Sequence, residues 1–99
     1  MKLQMHAVNF DADPKLIDFI QRKTDKLEAI YERIVDGEVF LKLENGEATD
    51  NKIVEIKINI PGNQLFAKEQ GESFEAAADR TIDALKRQLK KYKEKQSAR

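Results

Sequence analysis

Between Ile53 and Ile60 the apolar side chains fall at every second position: Val54, Ile56, Ile58 and Ile60 face one way, Glu55, Lys57 and Asn59 the other. That period belongs to a β-strand covered on one face only. Such a strand needs neighbours at its edges and a second layer over its apolar side. Pro61-Gly62-Asn63 follows as a tight hairpin signal, and Gln64 to Gln70 makes the return strand with Leu65 and Ala67 inward. Two more segments alternate. In Glu38 to Glu44, Val39, Leu41 and Leu43 oppose Phe40 and Lys42; in residues 2 to 9, Leu3, Met5 and Ala7 oppose Lys2, Gln4, His6 and Val8. Asp36-Gly37 reads as punctuation between elements, and residues 45 to 52 as a polar, acidic turn.

Two helical segments supply the second layer. Asp13 as N-cap and Pro14 at the first helical position start one that is expected to run to about Arg33, with Leu16, Ile20, Leu27, Tyr31 and Ile34 on one side. Residues 73 to 95 make the longer one. Phe74, Ala78, Ile82, Leu85, Leu89 and Tyr92 recur in steps of three or four, Ser73 is the candidate N-cap, and neither Gly nor Pro interrupts. The element order is βαβββα. The expected fold class is α+β: a two-layer sandwich of a four-stranded mixed sheet with two helices on one face, its first two strands parallel if adjacent. Phe40 and Phe66 then fall on the uncovered face, as edge packing, a contact patch or a base-stacking surface. Residues 1–95 form one domain, and 96–99 a short, frayed tail.

Charge is where function begins to show. The chain is formally neutral, yet from Arg80 to Arg99 it carries eight Lys/Arg against two Asp/Glu, a net of +6 that residues 1–79 offset. Two opposed parts make an asymmetric field, not a weak one. On the last helix Arg80, Arg87 and Lys91 cluster at roughly 220–260° from Phe74, and Lys86, Lys90 and Lys93 at roughly 100–160°. On the first, Lys15, Arg22, Lys26 and Arg33 line up, about 100° from the acidic stripe Asp18, Asp25, Glu28 and Glu32. Two readings stand for such faces: ordinary solvated surface with i, i+4 pairs such as Asp18–Arg22 and Asp83–Arg87, or a nucleic-acid footprint.

Other chemistry finds little support. With no cysteine there is no thiol nucleophile, disulfide or cysteine metal site, which fits a reducing compartment. His6 is the sole histidine and reads as a surface or edge side chain; Asp11 and Asp13 are explained by turn and capping chemistry. None of the four glycines sits in a phosphate-cradling loop. No apolar run reaches the ~18 residues of a membrane span, and no signal-peptide core is present. The expectation is a cytoplasmic protein, not an enzyme, with no cofactor, metal, small-molecule substrate or membrane partner.

Three segments resemble the bacterial ribosome hibernation-promoting factors, also called ribosome-associated inhibitors. They are the N-terminal strand and helix, ending K-T-D-K-L-E-A-I-Y (23–31), then I-V-E-I-K-I-N-I-P-G-N-Q-L-F-A-K-E (53–69) and F-E-A-A-A-D-R-T-I-D-A-L-K-R-Q-L-K-K-Y-K (74–93). In the last, Asp83, Leu85, Arg87, Gln88, Leu89, Lys91 and Lys93 keep the family's helix pattern. The resemblance implies a fold similar to double-stranded-RNA-binding domains with an added strand. It also implies a monomer bound to the small ribosomal subunit and its rRNA, near the messenger channel and tRNA sites, with ribosomal proteins as possible neighbours. Bound there, it stops translation without making or breaking a bond. The implied RNA contacts are Arg22, Lys23 and Lys26 on the first helix, and Lys86, Arg87, Lys90, Lys91 and Lys93 on the second. Long members add a C-terminal domain that pairs two ribosomes; this chain resembles the short form, which assists pairing alongside a partner. The alternative function is a protein–protein module that does not bind RNA.

Overall fold

The alternating segments pair into one four-stranded sheet. The computed structural model describes residues 1–44 and 51–97, as β1 (Lys2–Val8), α1 (Pro14–Asp25), a 3₁₀ turn (Lys26–Ala29), β2 (Asp36–Leu43), β3 (Lys52–Ile60), β4 (Asn63–Gly71) and α2 (Phe74–Ser97). The strands lie in the order β1-β2-β3-β4: β1 is parallel to β2, and the other two pairings are antiparallel. This is the expected βαβββα sandwich. The acidic turn expected at 45–52 falls mostly on residues 45–50, outside the described residues, as does the end of the tail at 98–99.

The alternation sorts the side chains as expected. Val39, Leu41, Val54, Ile56 and Ile58 are fully buried, in one cluster with Leu16, Ile20 and Leu27 from the α1 region and Ala77, Ala78, Leu85 and Leu89 from α2. Each large aliphatic side chain so buried is worth about 1.5–3 kcal/mol against leaving it in water. Leu43, expected inward, is instead exposed at the end of its strand. Pro61-Gly62 forms the two-residue hairpin between Ile60 and Asn63, with Gly62 at φ 76, the left-handed conformation that glycine adopts without strain.

Asp36-Gly37, expected as punctuation, lies inside β2, and the reason is spatial. A Cβ on Gly37 would come within 2.8 Å of both the Leu3 side chain on β1 and the Lys57 carbonyl on β3. Glycine is there because three strands converge too closely for any other residue.

The first helix ends earlier than its periodicity suggested. Its start is as expected: the Asp13 carboxylate accepts the Lys15 backbone N–H at 2.8 Å, with Pro14 next. At Asp25, however, the α-helix gives way to the 3₁₀ turn. Thr24, fully buried, turns its hydroxyl back to donate to the Ile20 carbonyl at 2.6 Å, an arrangement that loosens helical geometry. The Met1 ammonium sits against the Asp25 and Glu28 carboxylates, which hold its pKa above the ordinary value, and Gln21 donates to both the Met1 carbonyl and Asp25. These contacts fasten the turn to the start of β1. They also occupy two members of the expected acidic stripe. Arg33 lies past the helix, so the basic stripe is Lys15 and Arg22 on α1 with Lys26 at the start of the 3₁₀ turn.

In α2 the Ser73 hydroxyl accepts the Ala76 N–H at 3.1 Å, so the expected cap is present. The buried arc is wider than the aliphatic pattern showed, because Ala77 and Thr81 join it. Thr81 is tolerated there because its hydroxyl lies 2.7 Å from the Ala77 carbonyl and 3.1 Å from that of Val54.

Candidate functional site

The two helices run side by side in the same direction. Phe10, just before α1, stacks on Phe74 at 5.1 Å; Lys23 meets Asp79 at 3.7 Å; Tyr31 meets Tyr92 edge to face at 5.7 Å. Position along one helix therefore rises with position along the other. The end of α1 lies beside the early part of α2, and the basic last half of α2 reaches the residues that follow the 3₁₀ turn, Ile30 and Tyr31.

That stagger divides the eight expected RNA contacts. With Ala77, Ala78, Thr81, Ile82, Leu85 and Leu89 as the buried arc of α2, its remaining surface has two flanks. One faces α1 and carries Asp79, Lys86, Lys90 and Lys93, as shown by the Lys23–Asp79 pair and by Lys93 Nζ donating to the Ile30 carbonyl at 3.3 Å. Arg22, Lys23 and Lys26 border the same side from α1, lining a shallow depression with Phe19. Arg22, Lys23 and Lys26 lie together around that depression, and Lys86, Lys90 and Lys93 share the flank of α2 that faces the α1 region.

The second flank overhangs the outer edge of β4. Here Arg80 Nη1 donates to the Gln70 carbonyl at 2.7 Å and Gln88 Nε2 to the Phe66 carbonyl at 2.8 Å. Both cap polar groups on an edge strand that would otherwise invite another chain. Arg87 belongs to this side, around a depression it shares with Glu69, Arg80 and Asp83, and Lys91 lies one turn further on. Arg87 and Lys91 are thus separated from the other six by the exposed ridge of the helix.

Availability differs as well. Arg22, Lys26, Arg87, Lys90, Lys91 and Lys93 are exposed, and Lys23 and Lys86 half-buried. Lys23 forms an ion pair with Asp79, and its ammonium also lies 5.5 Å from the centre of the Phe19 ring. The expected pairs Asp18–Arg22 and Asp83–Arg87 do not form. Among the described residues, Lys86, Arg87, Lys90 and Lys91 form no ion pair with a carboxylate. A surface of this kind attracts phosphates by charge and sets register without reading base sequence. Sequence reasoning missed Asp79 as a partner of Lys23, and Gln88 and Arg80 as edge caps. No local pattern announces either, because each contact joins separate elements.

The open face of the sheet is less suited to stacking than two exposed aromatics suggested. Phe40 on β2 is stacked on His6 of β1 at 4.8 Å and 17°, while Lys57 Nζ of β3 lies 5.6 Å from its ring centre. Its two faces are occupied from neighbouring strands. His6 in turn bonds Glu38 Oε2 at 3.1 Å, as a surface side chain of an edge strand. Phe66 remains 44% exposed. Among the described residues no group of three His, Cys, Asp or Glu is placed to hold a metal ion, and no helix is long and apolar enough to cross a membrane.

Comparison with known proteins bears on this surface. The family model described as "Sigma 54 modulation protein / S30EA ribosomal protein" matches residues 3–97. A ribosome hibernation promoting factor of Klebsiella oxytoca is 33% identical over 95 residues, 96% of each chain. One from Pseudomonas putida is 31% identical over 98 residues, 99% of this chain and 92% of the other. Among solved structures, a ribosomal subunit interface protein from Coxiella burnetii superposes with a TM-score of 0.83 at 22% identity, over 94% of this chain and 98% of that one. The N-terminal domain of Thermus thermophilus Protein Y gives 0.81 at 24% identity, over 93% and 99%. At such identities the two structures attest the fold, and the sequence relatives attest the family.

Proposed function

The chain belongs to the sigma 54 modulation protein / S30EA ribosomal protein family, a family of ribosome-associated factors rather than enzymes, and from that premise we propose that it is a ribosome hibernation factor. It binds the rRNA of the small ribosomal subunit near the messenger channel and tRNA sites, in the cytoplasm, and blocks translation by occupying space. The observation that supports this most is the exposed cationic surface along α2, where Arg87, Lys90 and Lys91 form no ion pair among the described residues, together with exposed Arg22 and Lys26 in the α1 region. Such a surface follows phosphates across two parallel helices and needs no reacting group. Fixed cations on rigid helices recognise the shape and backbone of a folded RNA cleft. The Asp25 and Glu28 carboxylates are engaged by the Met1 ammonium.

Sedimentation of the purified protein with small subunits, large subunits and whole ribosomes at low and high salt tests the proposal. The expected result is recovery with the small subunit at low salt and release at high salt. Absence from the small-subunit pellet at low salt refutes it. A translation assay programmed with messenger should lose activity in proportion to the protein bound.

A further inference from the structure

Phe19 lies in the middle of the α1 basic stripe: Lys15, Phe19, Arg22 and Lys26 follow at steps of four, three and four residues. It is half-buried and forms the wall shared by two adjoining depressions. One is bordered by Arg22, Lys23 and Lys26; the other runs to Phe74 and Glu75 at the start of α2. The Phe74 ring is turned onto Phe10 at an interplanar angle of 9°, which closes the apolar floor at that end. Phe19 is left as the ring that fronts the cations. Its present cover is the Lys23 ammonium, 5.5 Å from the ring centre and held sideways by Asp79 at 3.7 Å.

We propose that Phe19 is a stacking platform for one unpaired nucleobase of a single-stranded RNA segment, whose flanking phosphates lie on Arg22 and Lys26. This rests on the RNA-binding reading above and deepens it. A phenyl ring set among guanidinium and ammonium groups offers two things together: a π-face for a base and positive charge for the phosphates on either side of it. A duplex presents phosphates but keeps its base faces inside the stack, so it has no use for the ring. An acidic peptide uses the cations and leaves the ring idle. Glu75 and Asp79, in the first turns of α2, set the direction locally, since they repel phosphate from that end of the helix and leave the Arg22–Lys26 side for the chain. The base takes the place of the Lys23 ammonium over the ring, and Lys23 keeps its pairing with Asp79.

The chain contains no tryptophan, so Phe19→Trp creates a single reporter at the platform. Its emission is followed during titration with purified small subunits and, separately, with deproteinised small-subunit rRNA. Stacking on a base quenches the emission in both titrations. Binding that leaves emission unchanged, or shifts it to the blue without quenching and only with intact subunits, overturns the proposal; the second result identifies a protein side chain as the occupant. Phe19→Leu keeps an apolar side chain on the helix, and thermal unfolding checks that it folds. It should bind small subunits about tenfold more weakly at unchanged salt dependence, because a stacking contact is lost and no cation is. A Leu variant that binds as tightly as the unaltered protein overturns the platform while leaving the RNA-binding reading intact. Failure of the unaltered protein to bind small subunits at all removes both.

Discussion

Replacing Lys86 and Lys90 together by Gln takes two cations from the α1-facing flank of α2 and leaves its apolar stripe untouched. Of the eight expected contacts, Lys23 already serves Asp79 and Lys93 donates to the Ile30 carbonyl, which leaves Arg22, Lys26, Lys86, Arg87, Lys90 and Lys91 as six without such a tie. Each cation seated on a phosphate releases counterion worth a slope of about 0.7–0.9 in log K against log salt. If all six reach phosphates, the slope is about −4 to −5, and a fourfold rise in salt weakens binding by roughly several hundredfold to two thousandfold. The double variant keeps four contacts and should show a slope of about −3 to −3.5. The assay is equilibrium binding of labelled protein to small subunits across a salt series, with circular dichroism confirming the helix content. An unchanged slope in the double variant means that this flank does not meet the RNA. A wild-type slope near zero refutes the electrostatic argument as a whole.

The opposite flank gives a second measurement: Arg87→Glu with Lys91→Glu should weaken binding at least as strongly as the Lys86/Lys90 pair if RNA wraps over the helix ridge, and far less if it keeps to the α1 side. Asp79→Asn removes the carboxylate that holds Lys23, so small-subunit binding should tighten a few-fold with a slope steeper by up to about 0.9, read in the same salt series. Gly37→Ala forces a methyl group into the Leu3 side chain and the Lys57 carbonyl; it should cost about 1–3 kcal/mol by urea denaturation, and an unaltered midpoint would show that the strands move apart freely. Gln88→Ala combined with Arg80→Ala bares the Phe66 and Gln70 carbonyls on the β4 edge and should raise self-association in light scattering.

Family membership and fold converge on one reading because little in the structure competes with it. The helices present exposed charge, and of the two open-sheet aromatics Phe40 is engaged with His6 and Lys57 while Phe66 stays exposed. The lopsided charge of the sequence survives folding as a real surface, since Arg22, Lys26, Arg87, Lys90 and Lys91 are exposed and form no ion pair among the described residues.

Local order was written in the chain. Alternation at Val54, Ile56, Ile58 and Ile60, the Pro61-Gly62 turn, the Asp13 and Ser73 caps and the stripe through Ile82, Leu85 and Leu89 all depend on residues a few positions apart, so period and propensity suffice to read them. Contacts between distant segments were settled only when those segments met. The Met1 ammonium against Asp25 and Glu28 joins the early end of α1 to the start of the chain, Gly37 is squeezed by Leu3 and Lys57, and Asp79 takes Lys23 while leaving Arg22 free of an ion pair. Helical spacing fixes the angle at which a side chain leaves its own axis. Which charge waits on the neighbouring element depends on how the two axes pack, and that is decided by the shared core beneath them.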